Sequence, residues 1–107
     1  YYNRAHNVKA LLRKDFDTAF QHVDVILTPT SPTPAFKIGE RASNPLSMYL
    51  ADIFTVSANL TSLPAISIPS GTTEREGKHL PLGIQFTAPY AQDDVLFAIG
   101  KLFEQSR

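Results

Sequence analysis

The sequence predicts an α/β fold, and within that class a segment of a larger α/β layer sandwich. Three observations predict it. Apolar residues alternate between a helical period and short β-branched runs in the order αβ–loop–αβ–βα. Three strand-like runs are few for an independent sheet. Those runs, "VDVILT", "PAISIP" and "LPLGIQFT", are apolar enough to need cover on both faces.

Residues 2–22 read as an amphipathic helix. Ala5, Val8, Leu11, Leu12, Phe16, Ala19, Phe20 and Val23 recur at three- and four-residue steps, while Arg4, Lys9, Arg13 and Lys14 mostly fall elsewhere. "VDVILT" (23–28) follows as a short buried strand. "PTSPTPAFKIGE" crowds prolines that lack an N–H donor, so it reads as an extended loop. Pro45 suits the first turn of a second helix, capped by Ser43 or Asn44 and running to about Leu60. "PAISIP" is a strand boxed by Pro64 and Pro69, "SGTTEREGKH" a polar turn, and "LPLGIQFT" (80–87) a strand forming a hairpin with the one before. A last helix opens after Pro89, with Asp93 and Asp94 in its first turn and Val95, Leu96, Ile99, Leu102 and Phe103 facing inward. The expected inventory is about three helices and three short strands.

At 107 residues the chain is one domain at most, and opening on Tyr inside a helical pattern it reads as a piece of something longer. Ten basic and ten acidic residues balance, which removes any bulk attraction for nucleic acid or membranes. With no cysteine, disulfides and cysteine metal sites are excluded, and a reducing cytoplasm is the simplest home. His6, His22 and His79 have no metal-ligand spacing. No apolar run approaches the ~18 residues of a membrane span, and no signal peptide is visible.

One carboxylate stands apart. Asp52, in "SMYLADIFTVSANL", is the only charged side chain between Arg41 and Glu74. On a continuous helix Asp52, Thr55 and Asn59 share one polar stripe, and the other faces are apolar nearly all round. Such a helix is expected to be buried. A buried carboxylate costs several kcal/mol unless it meets a cation or several donors. Either a basic residue from another element or a ligand bearing an ammonium or amide group answers that need, and residue types alone leave both open.

The remaining motifs are weaker. "PTSP" has P-x-x-P spacing but follows a buried strand and lacks a flanking arginine, so an ordered crossover loop is the reading. Ser70-Gly71 lacks the G-x-S-x-G frame of a nucleophile turn. Arg4, Lys9, Arg13 and Lys14 could meet RNA phosphates but read as a solvent face. No phosphate-cradling glycine loop or paired-carboxylate set occurs, so no complete catalytic set is visible.

Three stretches are more specific: "DVILTPTSPTPAFKIGE", "NPLSMYLADIFTVSANLTSLPAISIPSG" and "LPLGIQFTAP". Together they resemble the C-terminal part of the amidase-signature family, in one register over essentially the whole chain. Within it they are most similar to the glutaminase subunits (the A-subunits) of bacterial glutamyl-tRNA(Gln)/aspartyl-tRNA(Asn) amidotransferases. The resemblance implies a three-layer α/β/α sandwich around a mixed sheet, of which residues 1–107 would be a C-terminal fragment and not a complete domain. It implies a glutaminase working with amidotransferase subunits B and C, the first of which uses ATP and magnesium on misacylated tRNA. The family's nucleophilic serine, second serine and lysine match nothing here, so the chain alone is expected to be inactive and to hold no cofactor. The acid of the "DIFT" run resembles a substrate-binding carboxylate for the α-amino group of glutamine. It falls on Asp52, with Thr55 and Asn59 as supports. A standalone amidase of the same family and a non-enzymatic module docking through the proline loop are the competing readings. A truncated sheet is also expected to self-associate.

Overall fold

The computed structural model describes residues 1–39 and 45–106. Helix α1 (Tyr2–Ala19) leads through a turn to strand β1 (Ile26–Pro29). Two short helices follow, α2 (Pro45–Leu50) and α3 (Val56–Thr61), then strands β2 (Ala65–Arg75) and β3 (Lys78–Thr87), and finally helix α4 (Asp93–Ser106). Pro45 does open α2, as its fixed φ and missing donor suit the first turn. The expected caps Ser43 and Asn44 lie outside the described residues.

The three strands form one sheet in the order β1-β3-β2. Both pairings are antiparallel, so among the described residues nothing of the mixed character implied by the resemblance is seen. Strands β2 and β3 form the expected hairpin, but longer. Residues 70–75 and 78–79, expected as a polar turn, continue the ladder to Arg75 opposite Lys78. A two-residue turn suffices because Glu76 and Gly77 both take positive φ (54° and 78°), the twist that hairpin strands favour. A register shift between Pro69 and Gly71 takes up the irregularity midway.

Alternation along β3 gives the sheet two different faces. Phe86 and Ile84 pack with Ile66, Ile68, Ala88 and the inner side of α4, Leu96, Ile99 and Phe103. Phe86 meets Phe103 edge to face at 6.1 Å. Gly100 lets α4 come close, since a Cβ there would stand 3.0 Å from Ile68 Cδ1. Leu102, expected to face inward, is exposed instead.

The opposite face is polar. Thr28, Gln85 and Ser67 stand in register across the three strands. One residue pair along, the hydroxyls of Thr30 and Ser67 share a hydrogen bond of 2.7 Å above Gly83. A side chain at position 83 would fill that space, because its Cβ would lie 2.9 Å from Thr30 Oγ1.

The largest departure concerns the second helix. It is not one helix to Leu60 but two six-residue pieces, separated by turns at 51–55. Nor is it buried on most sides: Ala58 and Thr61 of α3 are buried, but Leu46 is 65% and Tyr49 72% exposed, and Leu50, Ile53, Val56 and Leu60 are also in contact with solvent. Two side-chain hydrogen bonds mark the break. Thr55 Oγ1 donates to the Asp52 carbonyl at 3.2 Å, and Gln85 takes the Phe54 carbonyl from across the fold.

Candidate substrate-binding site

The turn carrying Asp52 is built from short-range backbone bonds. The amides of Ala51, Asp52 and Ile53 donate to the carbonyls three residues back, and those of Thr55 and Val56 both donate to the Asp52 carbonyl at 3.1 Å. Asp52 therefore sits at the hinge between α2 and α3, outside both. Its side chain is exposed. Among the described residues no lysine, arginine or histidine lies within ion-pairing distance of it. Exposure removes the need for a cation that burial would have created, and among the described residues the carboxylate has no basic partner.

The single stripe of Asp52, Thr55 and Asn59 does not form, since the helix that would align them is interrupted. Thr55 is half-buried, and its hydroxyl is bonded to the backbone of Asp52. Asn59 lies one turn into α3 with an exposed side chain.

Two residues outside that stripe position the turn. Gln85, 6% exposed, donates from Nε2 to the Phe54 carbonyl at 2.8 Å and to Thr28 Oγ1 at 3.2 Å. Its sequence signal is a lone amide between Ile84 and Phe86 in an apolar strand. Arg13, which reads from sequence as part of a solvent face, carries no such signal. Its Nη1 donates to the Thr61 carbonyl at 2.9 Å, at the end of α3, where Ser62 turns left-handed. The same guanidinium lies 4.9 Å over the Tyr90 ring and reaches Asp17 at 3.3 Å. Arg13 thus ties α1, α3 and the approach to α4 together.

The described part of the proline loop lines one cleft together with the sheet. Lys37 pairs with Glu76 at 3.0 Å, joining the loop to the hairpin tip. Between loop and sheet opens a cleft of about 710 Å³, lined by Thr28, Thr30, Phe36, Ser67 and Ile84 among others, with Ala51, the neighbour of Asp52, also on its wall. Its lining offers hydroxyls but no ionisable acid, base or imidazole. Among the described lining residues the hydroxyls of Thr28, Thr30 and Ser67 are the groups available to hydrogen-bond a guest. Among the described residues no group of three His, Asp or Glu side chains gathers into a metal site. No described helix is long and apolar enough to cross a membrane.

Comparison with known proteins decides the family. The Amidase family model matches residues 1–97. The chain belongs to the amidase family. Within it, the chain is 52% identical over 104 residues to the A-subunit of glutamyl-tRNA(Gln) amidotransferase from Deinococcus radiodurans, covering 97% of this chain. It is 51% identical over 105 residues to the protein of the same name from Akkermansia muciniphila and 49% over 106 residues to that from Koribacter versatilis. These alignments cover 94% and 99% of this chain. The amidase relatives are much longer: the chain spans 22% of the length of each.

Proposed function

We propose that this chain is the C-terminal part of the glutaminase subunit of a tRNA-dependent amidotransferase, and that Asp52 receives the α-ammonium of the glutamine that supplies ammonia. The supporting observation is identity of about one residue in two, along nearly the whole chain, to the A-subunits of several bacterial glutamyl-tRNA(Gln) amidotransferases. The carboxylate of Asp52 fits the role, because among the described residues no basic side chain occupies it and a ligand's ammonium can meet it directly.

An exposed carboxylate holds an ammonium weakly. Tyr49, Leu50 and Ile53 around it are apolar and exposed, and burying them under the rest of a longer protein would also take Asp52 out of water. The pair then gains strength, and an amide lacking the positive charge would leave the carboxylate unpaired. In this reading residues 1–107 orient the substrate. The acylating serine, its partner serine and the lysine come from elsewhere in the full-length protein. The released ammonia passes to the B-subunit, which uses ATP and magnesium on the misacylated tRNA, and the small C-subunit bridges the two. This chain holds no cofactor of its own, and the assembly works in the cytoplasm.

In the full-length protein assembled with its partners, Asp52→Ala is expected to raise the KM for glutamine by one to two orders of magnitude, about 1.4–2.8 kcal/mol. Steady-state kinetics should show kcat largely retained, and an unchanged KM refutes the role. The 107-residue chain by itself is expected to release no ammonia from glutamine above the buffer blank. Co-purification of the full-length protein with amidotransferase subunits B and C separates this reading from a standalone amidase.

A further inference from the structure

We infer that Gln85 is a positioning residue for substrate binding, holding the Asp52 turn in the geometry that receives the ammonium group; the inference rests on the role proposed above for Asp52. Gln85 is buried on the polar face of the sheet, flanked in register by Thr28 and Ser67. Both hydrogens of its Nε2 are committed, one to the Phe54 carbonyl at 2.8 Å and the other to Thr28 Oγ1 at 3.2 Å. Phe54 is two residues from Asp52 and lies in the same non-helical stretch. Among the described residues, no other hydrogen bond joins residues 51–55 to the sheet.

The chemistry explains why an amide stands here. A methionine or leucine would fill the same space in β3, but neither donates a hydrogen bond. A glutamate would fill it with acceptor oxygens alone, facing a carbonyl that is itself an acceptor. Only a side chain that is long, neutral and donating can bridge from the central strand to the hinge between two short helices. Those helices are six residues each, too short to hold the hinge by their own stability. The strand therefore supplies the rigidity that the turn lacks, and the position of the Asp52 carboxylate is inherited from the sheet.

The test is a mutant cycle on glutamine hydrolysis in the full-length protein assembled with its partners. Gln85→Met keeps the volume and removes the donors. It is expected to raise the glutamine KM roughly three- to tenfold, the worth of one lost hydrogen bond, with kcat at saturating glutamine nearly unchanged. In the Asp52→Ala background the same substitution should have no further effect on KM, since the carboxylate it positions is gone. Amide hydrogen exchange should quicken at Thr55 and Val56 while Phe86 and Ala88 stay protected, a readout independent of turnover. Gln85→Glu should give at least the KM effect of Gln85→Met. A Gln85→Met enzyme with unchanged KM, with a loss confined to kcat, or with an undiminished KM effect beside Asp52→Ala overturns the inference while leaving the Asp52 role intact. If Asp52→Ala itself leaves KM unchanged, the role and the inference fall together.

Discussion

Thr30 and Ser67 reach each other across the central strand because position 83 carries no side chain. An added methyl must push Thr30 aside and cost that 2.7 Å bond, so Gly83→Ala is expected to destabilise the chain by about 1–3 kcal/mol in urea unfolding. Gly100→Ala is the instructive contrast. There the crowded neighbour is the tip of Ile68, which can rotate, and alanine is favoured over glycine in a helix by about 1 kcal/mol. That substitution should be near neutral in the same measurement. At this scale the sequence exposes some residues and hides others. Asp52 is conspicuous as a lone carboxylate, yet it is not buried as expected, because apolar neighbours on a short helix do not guarantee that anything covers them. Gln85 can be noticed but not interpreted, since its partner is a backbone carbonyl 31 positions away. Arg13 is unreadable for the same reason, its main partner lying 48 positions along the chain.

Elements are most legible where one period dominates. Helices α1 and α4 and the pairing of β2 with β3 follow from three- and four-residue spacing and from two apolar runs separated by a polar one. The polar run itself misleads. "SGTTEREGKH" has the composition of a loop, but Thr72 and Thr73 suit a strand and Glu76-Gly77 suffices for the reversal. Gly77 at φ 78° is the position that demands this, and Gly77→Ala is expected to lower stability by about 1–2 kcal/mol, read as a reduced urea midpoint. The split between α2 and α3 is beyond the sequence. No glycine or proline marks residues 51–55, and the Gln85 side chain that bonds the Phe54 carbonyl within the turns comes from 31 positions away.

The whole molecule is a thin slab of 45 × 41 × 18 Å with a radius of gyration of 16.1 Å, against about 13 Å for a compact domain of this length. Its core is small: Ile68, Phe86, Ala88 and Leu96 with partly buried neighbours. Val8, Leu11, Leu46, Tyr49, Phe97 and Leu102 remain exposed. Surfaces of this kind seek cover. Sedimentation of the 107-residue chain is expected to show self-association that rises with concentration, and a clean monomer across the range would contradict it. The sequence conveys this need for cover through three strands too apolar to stand alone, although it cannot tell that the ladder among the described residues is antiparallel. Strand order has a consequence for how the chain comes together. Because β3 lies between strands that precede it, within this sheet β1 and β2 are joined only through residues 78–87. The hairpin of β2 and β3 closes across two residues, whereas β1 reaches the same strand across about fifty, so its pairing carries the larger loop-closure cost.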